Sequence, residues 1–270
     1  MEMKTHTLES LAKIRRNAPL IHNITNFVVM NSSANILLAM GASPVMAHCR
    51  LEMEEMTSLA SALALNIGTL QEEWLDSMDL AAKTANAKGI PVVLDPVGAG
   101  ATKLRTEAVK TIMENHAVTV LRGNCSEILS LGYADIKTKG VDSSLLLSDE
   151  MVDAAMQMAL DQKCIIAISG KEDCITDGAQ VFRVHNGQLL MTRVTGMGCG
   201  LSAVVAAFCA VEEENMARAT AAAFGYYGLC ADLAIQSSNK PGSFYVAFLD
   251  WLYSVGNEEI NRYLDVRETP

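Results

Sequence analysis

The sequence lacks the features that place a protein in a membrane or on a nucleic acid. No segment has the roughly 18 uninterrupted apolar residues of a membrane span, and residues 1–16 mix charged with apolar side chains where a signal peptide would be apolar. The formal net charge is -10 at pH 7, and no run of Lys or Arg provides a basic patch. Because a phosphate backbone or an anionic lipid surface would repel such a chain, we expect neither nucleic acid nor a membrane among its partners.

Patterns typical of zinc sites and disulfide frameworks are also absent. The seven cysteines include no CxxC pair and no Cys/His spacing of the kind that binds zinc. Scattered cysteines in odd number favour reduced thiols and a cytoplasmic location. The sequence also lacks internal repeats, low-complexity tracts and a Pro- or Ser-rich linker, and 50% of its residues are hydrophobic. We therefore predict a single domain, residues 1–270, with one large core.

What is present is an alternation of short apolar runs and longer amphipathic stretches, which predicts an α/β fold with a mostly parallel sheet. The first predicted helix begins at about residue 28. The dipeptide Asn186-Gly187 lies between two apolar runs and predicts a hairpin, which would add an antiparallel pair of strands. Residues 132–149 have the loosest pattern and are predicted to form a surface connection. The predicted strands are 20–24, 43–47, 63–67, 90–95, 118–121, 165–169, 181–185 and 188–192.

One segment combines three glycines with a thiol. Residues 194–200 have the sequence VTGMGCG and lead directly into an apolar stretch of small residues. This order predicts a loop that enters a helix, where the first turn presents unpaired N–H groups to an anion. The predicted anion hole comprises Gly196, Met197, Gly198 and Cys199. The helix dipole there should lower the pKa of Cys199, which makes this thiol a candidate base. Taken alone, such a segment is more often a structural turn with a buried cysteine.

Acidic residues follow two of the predicted strands. Asp95 ends an apolar run, and Glu127 lies on the first turn of the helix that follows Arg122. Both would lie at the carboxyl edge of the sheet, where ligands of open α/β folds bind. The two carboxylates can hold Mg²⁺ there, mostly through waters and beside nucleotide phosphates, and Arg122 can meet a phosphate. Each carboxylate alone is equally explained as a turn residue or as a partner of the helix dipole.

Polar groups are also dense in residues 19–26, which have the sequence PLIHNITN. This density favours hydrogen bonding to a small polar ligand, with Asn26 at the start of the next helix. Capping and core packing explain each of these residues singly. Met46, at the end of the next predicted strand, can supply an apolar wall or simply fill the core. Ser169 ends a later strand and offers its hydroxyl to a nucleotide.

Six blocks, in this order, resemble the hydroxyethylthiazole kinase family and cover nearly the whole chain. The family has a ribokinase-like fold, so the resemblance implies a central, mostly parallel sheet with helices on both faces. The blocks are PLIHNITN (19–26), GASPVMA (41–47), LNIGTL (65–70), VLDPVGAGA (93–101), RGN with SEI (122–128) and VTGMGC (194–199).

The resemblance implies transfer of the γ-phosphoryl group of ATP to the primary alcohol of 4-methyl-5-(2-hydroxyethyl)thiazole, with Mg²⁺, in thiamine salvage. It also implies a homotrimer with sites between subunits. Carried over position by position, it implies thiazole contacts for Met46, Gly196 and Asn26, ATP contacts for Arg122 and Ser169, a metal region at Asp95 and Glu127, and catalysis by Cys199, where many ribokinase-like relatives have Asp.

Two positions depart from the family pattern, and two other functions stay open. Met197 stands where Ala is usual between the glycines, and Gly200 follows the catalytic position. A different ribokinase-like enzyme, such as a hydroxymethylpyrimidine kinase or a nucleotide-repair dehydratase, would carry Asp at position 199 and lack the polar block from Asn23 to Asn26. A non-catalytic nucleotide sensor would bind ATP without turnover.

Overall fold

A nine-stranded sheet lies at the centre of this computed structural model, which describes residues 2–132, 148–212 and 214–269. Its strands are β1 (Leu20–Ile24), β2 (Ser43–Val45), β3 (Ala62–Asn66), β4 (Val92–Asp95), β5 (Val120–Asn124), β6 (Ile165–Ser169), β7 (Asp173–Thr176), β8 (Val181–Val184) and β9 (Val266–Thr269). They follow the order β2-β1-β3-β4-β5-β6-β7-β8-β9, in which the pairs from β2 to β6 are parallel and those from β6 to β9 antiparallel. The predicted connection 132–149 lies, except at its ends, outside the described residues.

Helices cover both faces of the sheet, as the sequence predicted. The helices of the described residues are α1 (Glu2–Asn17), α2 (Met30–Met40), α3 (Met53–Leu59), α4 (Glu72–Lys88), α5 (Lys103–Asn115), α6 (Cys125–Gly132), α7 (Asp149–Gln162), α8 (Met197–Cys209), α9 (Met216–Ser237), α10 (Pro241–Ser254) and α11 (Asn257–Tyr263). The core on one face is built with α1, α2 and α8 to α11, and the core on the other with α3 to α7. None of these helices is long and apolar enough to cross a membrane.

The interior strands position the polar edge of the sheet. Every residue of β3 and β4 is buried, because helices cover both faces of these strands. Both strands nonetheless end in a polar residue, and these two residues, Asn66 and Asp95, are paired in register. The apolar core therefore ends where the carboxyl ends of neighbouring parallel strands bring polar side chains together.

The hairpin predicted at Asn186-Gly187 is wrong. Residues 188–192 are not a strand, since a 3₁₀ turn covers Leu189–Arg193. The antiparallel partners of β8 are instead β7 and β9, neither of which the sequence predicted.

A carboxylate on α9 explains why this loop leaves the sheet. Asp232 accepts hydrogen bonds from Asn186 Nδ2 (2.8 Å), Gly187 N (3.1 Å) and Gln188 Nε2 (2.7 Å). Gly228, one turn earlier on the helix, makes room for the loop, because a Cβ there would overlap the Asn186 carbonyl. The helix thus holds the loop that a local turn signal assigned to a hairpin.

The N-terminal helix α1 was also missing from the predicted elements. It packs on α9 and α11, which lie more than 190 residues later in the sequence. Lys4 Nζ donates to the Asn261 carbonyl (2.7 Å), and Arg15 Nη2 donates to the Tyr253 carbonyl (2.8 Å). Its buried stripe has helical spacing but includes Thr and Ser, which weakens the apolar signal. The stripe comprises Met3, Thr7, Ser10, Leu11 and Ile14.

Candidate active site

The carboxyl edge of the sheet and the first turn of α8 form one polar centre. Asn26 follows β1, Asn66 ends β3, Asp95 ends β4 and Ser169 ends β6. Arg122 lies inside β5, two residues before its end, whereas the sequence predicted it just after the strand. Because α8 packs across β1, β3 and β4, its first turn lies over these strand ends.

The first turn of α8 has the geometry of an anion-binding helix start. Gly196 precedes the helix with φ of +85°, which is left-handed backbone that favours glycine, and no side chain caps the helix. The amides of Met197, Gly198 and Cys199 occupy the first three helical positions, whose N–H groups have no partner within a helix. The predicted anion hole is therefore placed where oriented N–H groups and the positive helix dipole coincide.

Two side chains brace the carbonyls of this turn from outside the helix. Tyr227 on α9 donates its hydroxyl proton to the Met197 carbonyl (2.9 Å), and Arg122 Nη1 donates to the Gly198 carbonyl (2.9 Å). Both donors are buried. The predicted anion hole is thus held in place by α9 on one side and by the sheet on the other.

The two departures from the family pattern are accounted for by packing. A Cβ at Gly200 would overlap Ile36 Cδ1 and lie 2.9 Å from the Tyr227 hydroxyl. Met197 is buried, and its sulfur lies 3.9 Å from that same hydroxyl. Met197 and Gly200 therefore both pack beside Tyr227, where the side chain of Met197 fills space and the missing side chain of Gly200 leaves it.

Asp95 is a buried carboxylate with three polar neighbours. Its Oδ2 accepts hydrogen bonds from Asn66 Nδ2 (2.8 Å) and Ser202 Oγ (2.7 Å), and Arg122 Nη1 lies 3.7 Å away. Burial raises the pKa of Asp95 to about 6, an effect that Arg122 opposes and Glu127 reinforces. Because burial disfavours the ionised form of Asp95, a second positive group besides Arg122 would stabilise this carboxylate.

Arg122 joins Asp95 to the predicted nucleotide side. Its side chain is almost wholly buried, and Nη2 donates to Ser169 Oγ (2.7 Å). Its Nε has no hydrogen-bond partner among the described residues. A buried guanidinium with an unpaired N–H fits an incoming anion, because leaving that donor unpaired is unfavourable.

Cys199 lies at the helix start, as predicted, in the first turn of α8, but its thiol does not have the predicted pKa. Burial, followed by the charge of Asp95, raises the pKa of Cys199 to about 11. Hydrogen bonding with Asn66 and Asn26 opposes that rise, and Asn26 Nδ2 lies 3.4 Å from Sγ. The expectation of a pKa lowered by the helix dipole is wrong, because desolvation and a neighbouring carboxylate outweigh the dipole.

Glu127 occupies the first turn of α6, also as predicted, and holds a loop. Its Oε1 accepts from Gly98 N (2.8 Å) and its Oε2 from Asn124 N (2.9 Å), which ties the loop after β4 to the end of β5. Glu127 also acts electrostatically on Asp95. Asp95 and Glu127 therefore belong to one centre, although none of the hydrogen bonds described above links either of them to a donor of the other.

The donor set at this centre fits Mg²⁺. Within the described residues no group of three His, Cys, Asp or Glu side chains could hold a metal. Mg²⁺ needs only one or two carboxylates when phosphates and waters complete its shell. The described contacts of the Asp95 carboxylate all meet Oδ2, so Oδ1 is the oxygen available to a metal ion or to its water.

The polar block at 19–26 divides into one site residue and several structural ones. His22 is fully buried, with its ring nitrogens 3.0 Å from Thr57 Oγ1 and from the Ala47 carbonyl. Asn23 Nδ2 turns back to the Ile21 carbonyl (2.8 Å). In this block, Asn26 is the residue that reaches Cys199, so the structural explanation holds for His22 and Asn23.

Met46 stands apart from the hydrogen-bonded centre. It is half-buried in the segment after β2, and its carbonyl lies 3.3 Å from His48 Nδ1. His48 in turn contacts the backbone of Thr25, next to Asn26, and packs against Trp74 with the two rings tilted by 40°. Met46 is thus linked to Asn26 only indirectly, through His48 and the backbone of Thr25.

Sequence reasoning missed two residues of the centre, Asn66 and Ser202. Asn66 gave no signal beyond its place in the block LNIGTL, and its side chain lies between Asn26 and Asp95. Ser202 lies one turn after Cys199, and its signal was a lone polar residue at the beginning of an apolar helix.

Comparison with known proteins gives a consistent result over the full chain. The model of the hydroxyethylthiazole kinase family matches residues 11–258. The hydroxyethylthiazole kinase of Desulfotalea psychrophila is 49% identical over 97% of this chain and 95% of its own. The solved structure of a hydroxyethylthiazole kinase protein from Pyrococcus horikoshii is similar with a TM-score of 0.90 and 43% identity, covering 98% of this chain and 100% of that one. A ribokinase-like superfamily protein from Enterococcus faecalis, at 13% identity, 90% and 89% coverage and a TM-score of 0.63, shares the fold.

Proposed function

Because the chain belongs to the hydroxyethylthiazole kinase family, we propose that it transfers the γ-phosphoryl group of ATP to the hydroxyl of 4-methyl-5-(2-hydroxyethyl)thiazole in the thiamine pathway. The observation that carries this proposal is the uncapped first turn of α8, where N–H groups and the Cys199 thiol lie within one turn of each other. Transfer of a phosphoryl group to an alcohol needs an anion site and a proton acceptor in this arrangement.

The residues divide into two binding regions. Arg122 and Ser169, joined by a hydrogen bond, face the nucleotide, and the unpaired Nε of Arg122 supports contact with a phosphate. Asn26, Gly196 and Met46 would form the thiazole side. The amides of residues 197–199 lie between these regions, where the transferred group would pass.

The chemistry then rests on alignment and charge. A loose transition state spreads charge over the equatorial oxygens of the phosphoryl group, and the α8 amides and Arg122 are placed to neutralise it. The alcohol loses its proton late in such a reaction, and the group that accepts it is the thiolate of Cys199, a minor species at neutral pH because burial raises the pKa of this thiol to about 11. Asp95 and Glu127 would hold Mg²⁺, which when bound neutralises charge on the ATP phosphates.

A homotrimer with sites between subunits is part of the proposal. Its support is the apolar surface beside Asn26, where Phe27 and Val28 are 56% and 62% exposed. A second subunit covering these side chains would also close the thiazole region. Sedimentation of the active species tests this, and a fully active monomer would contradict it.

We also propose a cytoplasmic location, which the seven free thiols support.

The function is tested by incubating the protein with ATP, Mg²⁺ and the thiazole alcohol and detecting the phosphate ester by mass spectrometry. The expected product is the thiazole phosphate with one ADP per ester. Parallel reactions with hydroxymethylpyrimidine as acceptor and with no acceptor complete the design.

Three outcomes would overturn the proposal. Phosphorylation of the pyrimidine but not of the thiazole would assign a different kinase. ADP without any ester would indicate an ATPase. A thermal shift with ATP and no ADP would indicate a nucleotide sensor.

Thiazole alcohol at 100 times its Kd should itself stabilise the fold by about 2.7 kcal/mol.

A further inference from the structure

The geometry points to Asn66 as a positioning residue that sets the orientation of Asn26 and Cys199 for phosphoryl transfer. This role rests on the function proposed above. Asn66 lies at the end of β3, opposite Asp95 in register and between that carboxylate and Asn26. It is 4% exposed, so its amide groups are confined to these neighbours.

The direction of the Asn66 amide is fixed from both ends. Gly68 N donates to Asn66 Oδ1 (3.0 Å), and a backbone N–H can only donate. Asn66 Nδ2 donates to Asp95 Oδ2 (2.8 Å), and an ionised carboxylate can only accept. Reversing the amide would therefore put donor against donor and acceptor against acceptor.

The fixed Asn66 amide determines the next one. Asn66 Oδ1 accepts from Asn26 Nδ2 (2.8 Å), while Asn26 Oδ1 accepts from Val28 N (3.1 Å). Asn26 must therefore present its NH₂ group to Asn66. The second hydrogen of this group is directed at Cys199 Sγ, 3.4 Å away.

Cys199 consequently receives an N–H donor. Because this hydrogen takes up one side of the sulfur, it is another side of the ionised thiolate that receives the proton of an alcohol. Asn66 also opposes the rise in the pKa of this thiol. The chain from Asp95 through Asn66 and Asn26 thus links the metal region to the proton acceptor, through groups whose direction cannot reverse singly.

Glycine at position 68 permits this arrangement. A Cβ on Gly68 would lie 2.6 Å from Asn26 Nδ2 and 2.8 Å from its Cγ. The loop after β3 can therefore close against Asn26 and deliver its N–H to Asn66.

A double-mutant cycle with Asn66→Ala and Asn26→Ala tests the inference. Each single variant should lower kcat on the order of tenfold to 100-fold, with KM for ATP changed less than about twofold. The double variant should be no more than about twofold slower than the worse single variant, because both changes break the same chain. Asn23→Ala is the matched control, since it removes a buried asparagine from the neighbouring strand β1 and should leave kcat unchanged.

A second measurement does not depend on turnover. Alkylation of Cys199 by iodoacetamide, followed by peptide mass spectrometry, should slow about threefold or more in both single variants, because the thiolate loses a hydrogen-bond donor. The exposed Cys49 in the same molecule provides the reference rate. A parent chain that makes no thiazole phosphate would defeat the proposed function, whereas this measurement would still decide the positioning role.

Several results would overturn the inference. These are multiplicative loss in the double variant, an equal loss of kcat in Asn23→Ala, or unchanged alkylation of Cys199 in a folded Asn66→Ala protein.

Discussion

Residues 197–202, at the beginning of α8, take part in a dense set of hydrogen bonds, whereas residues 203–209 of the same helix are held almost entirely by apolar packing. In the first part, Tyr227, Arg122 and Asn26 all reach the helix from other elements. In the second part every residue is buried, and Phe208 packs against Tyr226 with ring centroids 5.7 Å apart.

Under the proposed function, one helix carries catalysis and stability in separate segments. Hydrogen bonds at the first turn fix directions, which phosphoryl transfer requires, but each contributes only modestly to folding. Apolar burial in the second part contributes strongly to folding and has no direction. Changes in the two parts should therefore alter different quantities.

The largest expected effect is at the polar centre over which the first turn lies. Asp95→Asn should lower kcat on the order of 10³-fold, because the negative charge facing the metal and phosphate region is lost. The fold should be retained, since an amide oxygen can still accept from Asn66 and Ser202. The measurement is kcat with the thermal midpoint of the same sample.

Asp232→Asn is the matched control for that change. It also removes a carboxylate that accepts several hydrogen bonds, but one located on α9 at the loop of residues 186–188. It should leave kcat within about twofold. Near-parental turnover in Asp95→Asn would remove this residue from the site.

The second part of the helix should respond in the opposite way. Phe208→Ala should reduce the free energy of unfolding by about 3–5 kcal/mol, because it leaves a cavity in a fully buried position. Below the unfolding transition, kcat per folded molecule should stay at the parental value. Urea unfolding and active-site-normalised kinetics check both statements, and a selective fall in kcat would show that the two segments are coupled.

A smaller effect on stability should appear as a pH dependence. The pKa of Asp95 is about 6 in the fold and near 3.8 in the unfolded chain, so the folded state binds this proton more tightly. The associated stability is fully present below pH 3.8 and is lost as the pH rises to about 6. Relative to Asp95→Asn, the parent should therefore lose about 2 kcal/mol between pH 4 and pH 7. Equal pH profiles for the two proteins in urea unfolding would contradict this.

The smallest predicted effect concerns the thiol itself. Cys199→Ala should retain activity at about one-tenth to one-hundredth of the parent, because the anion hole and alignment remain. Cys199→Asp should stay active and show a flat rate from pH 6 to 8. The parent rate should rise up to high alkaline pH if chemistry limits it, since the thiol pKa is about 11. Identical rates and pH profiles for all three would show that Cys199 only fills space.

Much of the fold could be predicted because it depends on local pattern. The strands Leu20–Ile24 and Ile165–Ser169 have the predicted bounds, since apolar residues in a buried parallel strand form a continuous run. The meeting of Asn66 and Asp95 in the candidate site agrees with the rule that neighbouring parallel strands end at the same edge. The short edge strand Val266–Thr269 gave no such signal, because it is mostly exposed and polar.

The remaining features depend on residues far apart in sequence. The Asn186-Gly187 signal was overridden by Asp232, 45 residues or so away. The thiol pKa was mispredicted because it depends on burial and on Asp95, neither of which the segment 194–200 contains. Asn66 was overlooked as a site residue for the same reason, since its role becomes visible only beside Asn26 and Asp95.

The long-range contacts of α1 delay its folding while the chain is synthesised. Lys4 and Arg15 bond to carbonyls 257 and 238 positions later. At about 5–20 residues per second, a ribosome needs roughly 12–50 seconds to synthesise the intervening chain. A helix of 16 residues is marginal alone in water, so α1 must wait for α9 to α11 before it is stable. During that interval Leu11 and Ile14 are open to chaperones and proteases, and a chain that stops before α9 leaves them so permanently.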